Sequence, residues 1–137
     1  MNDLTEWLDA LRDSDKIILV EGKKDKAALE HFGITKVRTL YKKPLFQIIE
    51  EIAEHYDEVI LLTDLDKEGK LLYGKLSREL QHKGIKIDTT FREFLQKNTK
   101  LSHIEGLVSY CQKMSIKTVK AWLRPIVQHD SSSLQKP

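Results

Sequence analysis

The chain carries one cysteine, Cys111, in 137 residues, so no disulfide can form within it. The fold must be held by its core, and the thiol reads as a small hydrophobe in a reducing compartment. Long apolar runs are also missing: nothing approaches the ~20 residues that a membrane-spanning helix needs. Residues 1–7 are acidic and lack the cationic and apolar regions of a signal peptide. These absences give the expectation of a cytoplasmic protein with no membrane partner. Charge of one sign is lacking too, with 23 basic against 21 acidic residues and a formal net charge of +2. Bulk charge therefore does not mark a nucleic-acid binder, and only the placement of charges can. No internal repeat is present, and the length suits one domain with a layered core.

What the sequence does have is Val59-Ile60-Leu61-Leu62-Thr63-Asp64-Leu65-Asp66-Lys67-Glu68-Gly69. Four aliphatic residues in succession, β-branched at the start, describe a strand buried on both faces. In an extended segment residues i and i+2 point the same way, so Asp64 and Asp66 present two carboxylates to one side where the strand leaves the core. Such like charges repel unless a cation stands by them. Oxygen-only ligation suits Mg²⁺, with Mn²⁺ as a substitute. A second run, Ile17-Ile18-Leu19-Val20, ends similarly in Glu21-Gly22-Lys23-Lys24-Asp25. Ligands of open parallel sheets collect beyond the carboxyl ends of the strands. Adjacent strands lie about 4.8 Å apart, so Glu21, Asp64 and Asp66 can share a metal site if these two strands are neighbours.

The two blocks together, in this order and each after a strand, resemble the Toprim domain of primases, topoisomerases, a ribosomal-RNA maturase, overcoming-lysogenisation-type nucleases and small stand-alone proteins. The resemblance covers residues 16–89. It implies an α/β three-layer sandwich of about four mostly parallel strands with helices on both faces. Glu21 matches the family's acidic residue, Asp64 and Asp66 its Asp-x-Asp metal pair, and Gly22 and Gly69 the adjoining glycines. Where topoisomerases carry Glu-Gly-Glu this chain has Glu68-Gly69-Lys70, which points away from topoisomerase chemistry.

Three other readings of the acidic block compete. As an EF-hand it fails at its twelfth position, Lys75, where a bidentate glutamate is required, and it comes after a strand where a helix is needed. As a haloacid-dehalogenase-type phosphatase it has Glu68 where that family has threonine or valine. As plain helix capping it accounts for Asp66 and leaves Glu21 and Asp64 unexplained.

Around these blocks the spacing predicts further elements. Leu4, Trp7, Leu8 and Leu11 recur as in an amphipathic helix, giving an N-terminal helix within residues 1–15. Asp25 stands where the N-cap of a helix through Phe32 belongs, and Gly33 ends it. Residues 36–40 read as a second strand near an edge, and Pro44 opens a helix with Leu45, Ile48, Ile49, Ile52, Ala53 and Tyr56 on one stripe. His55 lies off that stripe and reads as a surface residue. A helix through Leu72, Tyr73, Leu76 and Leu80 stops at Gly84, and residues 85–89 alternate as a fourth strand. Residues 90–128 read as a helical extension. In it Thr90-Phe91-Arg92-Glu93 and Ser102-His103-Ile104-Glu105 form capping boxes. A second reading brings the latter loop, with His103 and Glu105, to the metal cleft, as in the resembling maturase. Ser115 caps a last helix in which Trp122, near Lys120 and Arg124, packs at an edge or stacks on a base. Residues 129–137 read as a disordered tail.

Lys23, Lys24, Lys42, Lys43, Lys67 and Lys70 come after three successive strands. Either they are ordinary solvated lysines or they form a phosphate-attracting rim. The Toprim resemblance implies Mg²⁺ at Glu21, Asp64 and Asp66, with RNA or DNA as partner. The implied activity is nuclease-like cleavage or transfer at a phosphodiester, in RNA processing for instance, with Glu21 as catalytic acid or base. The alternative is a non-catalytic module whose metal site grips nucleic acid, or a protein partner that supplies substrate specificity.

Overall fold

The computed structural model describes residues 1–114. The final helix expected from Ser115, the Trp122 contacts and the tail at residues 129–137 lie outside the described residues.

Strands β1 (Ile17–Val20), β2 (Val37–Thr39), β3 (Glu58–Leu62) and β4 (Lys86–Asp88) form one all-parallel sheet in the order β2-β1-β3-β4. The two apolar runs are thus the central pair, and the two less apolar strands are the edges. Their side chains alternate between two cores. Ile18, Val20, Ile60 and Leu62 face one, while Ile17, Leu19, Val59 and Leu61 face the other. Helices α3 (Leu45–His55) and α4 (Lys67–His82) fill the second core through Ile48, Ile52, Leu76 and Leu80. The first is covered by α1 (Leu4–Asp13), α2 (Lys23–His31), α5 (Thr90–Asn98) and α6 (Leu107–Lys113). Helices on both faces of a parallel sheet complete the three-layer α/β architecture.

Helix α1 is capped by Asp3, whose carboxylate accepts the Glu6 N–H. Its Trp7 is wholly buried, donates its indole N–H to the Phe91 carbonyl at 2.9 Å and meets the Phe91 ring edge-on. At their C-termini α2 and α4 each give way to a left-handed glycine, Gly33 (φ 80°) and Gly84 (φ 82°), where other residues are strained.

Four local expectations are corrected. Asp25 is not the N-cap of α2: the helix starts at Lys23 with Gly22 as cap, and the Asp25 carboxylate folds back to accept the Gly22 N–H. Thr90 is the first helical residue of α5; Thr89 occupies the cap, and the Asp88 carboxylate accepts the Thr90 N–H. Ser102 forms no capping box, since the short 3₁₀ turn Ile104–Gly106 starts after His103 without a side-chain cap. Tyr56 leaves the apolar stripe because α3 ends at His55, and its ring is exposed.

Candidate metal centre

The register pairs Val20 with Leu62, so β1 and β3 reach the carboxyl edge level with each other. Glu21 and Asp64 therefore emerge side by side, and Glu21 Oε2 accepts the Asp64 N–H at 2.8 Å. The turn from β3 into α4 is compressed. Buried Thr63 donates its hydroxyl to the Gly69 carbonyl at 2.8 Å, and Asp66 caps α4 by accepting the Gly69 N–H at 2.8 Å. A Cβ on Gly69 would stand 1.9 Å from the Asp64 carbonyl oxygen, so only glycine lets the helix approach this closely. From α5 the buried Arg92 reaches the same turn, donating from Nε to the Thr63 carbonyl at 3.2 Å and from Nη2 to the Asp64 carbonyl at 2.6 Å. Its guanidinium also lies 4.6 Å from the Tyr73 ring centroid.

The segment before α6 completes the site. Leu65 donates its N–H to the Ser102 carbonyl at 2.8 Å, Ile104 donates its own to Asp64 Oδ1 at 2.9 Å, and Glu105 donates to Asp25 Oδ1 at 3.0 Å. His103 Nε2 sits 3.2 Å from Asp66 Oδ2. One ligand atom each from Asp64, Asp66 and His103 lie within 4.8 Å of one another. The loop thus comes to the cleft, and capping is the weaker of its two explanations. Glu21, expected as a third ligand, is not one of this trio; its Oε2 is on the Asp64 backbone N–H. Sequence reasoning misses Arg92, which is an unspecified interior position of the Thr90–Glu93 box, and the inward contact of Asp25, for which an N-cap is already a sufficient account.

Negative charge is only partly compensated here, by the nearby Arg92. Burial, with repulsion from Asp64, Asp66 and Glu68, raises the Glu21 carboxyl above its usual range despite the Asp64 N–H. Burial and the Asp64 charge push Asp25 up to about 6, against two stabilising backbone N–H groups. Arg92 is lowered by burial, although the carboxylates of Glu21, Asp64 and Asp66 oppose the shift. A divalent cation would relieve this repulsion. Carboxylate oxygens with one imidazole fit a hard or borderline ion such as Mg²⁺ or Mn²⁺.

Next to the acidic site lies a cleft of about 420 Å³, lined by Glu21, Lys23, Asp25, Tyr41, Asp64 and Glu105 among others. The six lysines of the three junctions are all exposed. Lys23, Lys24, Lys67 and Lys70 occupy the first turns of α2 and α4. Cations are unfavourable at that end of a helix, and so the helices themselves do not call for them.

With this geometry in place, comparison with known proteins is decisive: the Toprim domain family matches residues 16–93. The chain belongs to the Toprim family. A UPF0292 protein of Methanocaldococcus jannaschii is 38% identical over 103 residues, spanning 72% of this chain and 80% of that relative. One from Pyrococcus horikoshii is 37% identical over 113 residues, 80% of this chain and 85% of the relative. A solved protein from Aquifex aeolicus is 36% identical and superposes with a TM-score of 0.73 over 77% of this chain and 98% of that one. Toprim domains bind divalent metals and belong to nucleic-acid-related proteins. Among the described residues no helix is long and apolar enough to cross a membrane.

Proposed function

We propose that this Toprim protein acts on RNA or DNA in the cytoplasm by Mg²⁺-dependent cleavage or transfer at a phosphodiester, with RNA processing as one such role. The observation that carries the reading is the convergence of Glu21 from β1 with Asp64 and Asp66 from β3 at one carboxyl edge. In this reading Asp64, Asp66 and Glu21 hold the ion, with His103 beside them. The bound ion would neutralise the phosphate and activate a water. Glu21 is the general acid or base of this reading; burial and the neighbouring carboxylates raise its pKa in metal-free protein, and a bound cation would lower it. Lys67 and Lys70 draw the phosphate in, with Lys23, Lys24, Lys42 and Lys43 extending the rim.

A second reading, a binding module without turnover that acts with a protein partner, draws on a specific observation. Glu21 Oε2 and Asp66 Oδ1 are already committed to backbone N–H groups, which leaves fewer free oxygens for proton transfer. Purified protein incubated with labelled single-stranded and structured RNA and DNA, in Mg²⁺, Mn²⁺ or chelator, separates the two. Cleavage lost in Glu21→Gln with much of the affinity kept supports the enzyme, and no turnover on any nucleic acid supports the module. Asp64→Asn with Asp66→Asn should abolish Mg²⁺ binding by isothermal titration while circular dichroism stays unchanged, since asparagine also caps helices well. Undiminished Mg²⁺ affinity would remove the site assignment.

A further inference from the structure

Tyr41 is an aromatic side chain left 43% exposed on the wall of the cleft that also holds Glu21 and Asp64. It sits in the turn after β2, which is pinned at its base by the Leu40 N–H on the Val20 carbonyl at 3.0 Å and closed by the Lys43 N–H on the Leu40 carbonyl at 3.3 Å. Within that turn Lys42 adopts a left-handed backbone, φ 57°, a conformation uncommon for lysine. Two ammonium groups stand over the tyrosine ring, Lys23 Nζ at 4.8 Å and Lys42 Nζ at 5.3 Å from its centroid. Both lie within the range of cation–π attraction, which at an exposed site is weak and easily exchanged.

From this arrangement we infer that Tyr41, Lys23 and Lys42 form a subsite for one unpaired nucleotide, the base stacking on Tyr41 and its phosphate taken by the two lysines. The chemistry is complementary part by part. A nucleotide brings a π-face, which an aromatic ring accepts whatever the base, and an anion, which the displaced ammonium groups accept. A duplex buries its base faces and cannot use the ring. The subsite rests on the reading of a nucleic-acid-processing Toprim site and deepens it by assigning a substrate class: a single-stranded or frayed segment whose neighbouring phosphodiester lies at Glu21 and Asp64.

The test is fluorescence anisotropy of the full chain with a labelled single strand, a duplex of the same sequence and a mononucleotide, in Mg²⁺ and in EDTA. It is paired with the emission of 2-aminopurine placed in the single strand. The wild type should bind the single strand more tightly than the duplex and quench 2-aminopurine. Tyr41→Ala should lose about 5-fold to 100-fold in single-strand affinity and the quenching with it, while duplex binding stays within about 2-fold. Tyr41→Phe should behave as wild type, because the ring and not the hydroxyl makes the contact. Lys23→Ala with Lys42→Asn, asparagine tolerating the left-handed backbone, should weaken the single strand and flatten its salt dependence. Tyr41-dependent binding of the strand, whether or not the mononucleotide also binds, keeps the subsite; Tyr41-dependent binding of the mononucleotide alone identifies a free nucleotide as the ligand and overturns the assignment to a strand. Undetectable single-strand binding, no quenching in the wild type, or an equal loss for strand and duplex in Tyr41→Ala would overturn it. Cleavage that ignores Tyr41 would remove this inference and leave the proposed function standing. Tyr41-dependent stacking without cleavage would do the opposite.

Discussion

Gly69 and Gly74 are two glycines of the same helix with opposite reasons for being there. At Gly69 an added methyl would overlap the Asp64 carbonyl at 1.9 Å, a backbone atom that cannot swing aside. Gly69→Ala should therefore open the turn that holds Asp64 and Asp66, destabilising the fold by about 2 kcal/mol or more and weakening Mg²⁺ together with it. At Gly74 the nearest atom is the end of the flexible Arg78 side chain at 3.4 Å. Gly74→Ala should instead stabilise α4 by up to about 1 kcal/mol, through lower backbone entropy in the unfolded chain. Urea denaturation of both variants checks the contrast. Equal effects would mean that the turn is not sterically closed.

Among the elements, α5 ties the far core to the metal edge. Its Arg92 is 4% exposed and spends two donors on the carbonyls of Thr63 and Asp64, fixing the backbone from which the first aspartate hangs. Arg92→Lys keeps the charge and loses the fork geometry. We expect a loss of about 1.5–3 kcal/mol in stability, and a fall in Mg²⁺ affinity because Asp64 is no longer held. Chemical denaturation and isothermal titration read the two effects separately. Unchanged values in both would reduce Arg92 to a packing residue. At the same end of α5, on the residue before Arg92, the Trp7 indole donates to the Phe91 carbonyl and makes α1 part of the same core.

For the molecule as a whole, the acidic cleft and basic rim set the response to pH and salt. In metal-free protein Asp25 is pushed up to about 6 from 3.8, so the folded state keeps a proton that the unfolded chain releases. This contribution to stability is therefore full below about pH 4 and is lost as pH rises through about 6, and the raised Glu21 acts in the same direction. The thermal midpoint in EDTA should fall across that window, less so in Asp25→Asn and less so again with Mg²⁺. A midpoint indifferent to Mg²⁺ at neutral pH would show that the cation does not relieve the cleft's repulsion. The basic rim predicts the salt response. Duplex binding should weaken with a log–log slope of roughly −0.9 per phosphate contact. Lys67→Ala with Lys70→Ala should flatten that slope by about one to two units. Mg²⁺ should first strengthen binding by masking the carboxylates and weaken it only at higher concentration. Anisotropy across salt tests both, and an identical slope in the double variant would leave these lysines merely solvated.

By itself the sequence determined the central strands, since β1 and β3 are its two uninterrupted aliphatic runs. It determined that each run ends in carboxylates, since the residues at the exit of a strand are its neighbours in the chain. It also determined Gly33 and Gly84 as helix stops. Only the tertiary structure decided which groups meet those carboxylates. The partners of Asp64 and Asp25 from the segment before α6 are the backbone N–H groups of Ile104 and Glu105. Every residue except proline has such a donor, and so side-chain identity carries no signal for it. Arg92 and His103 come from other elements, and their spacing from Asp64 reflects the path of the chain through β4 and α5 rather than any local period. Asp25 shows the same division at close range. Its preference for a helix start was legible, but the extended backbone of Gly22 (φ −142°, ψ 178°) let α2 begin at Lys23. That early start turned the carboxylate inward, into the cleft where burial and then the Asp64 charge raise its pKa.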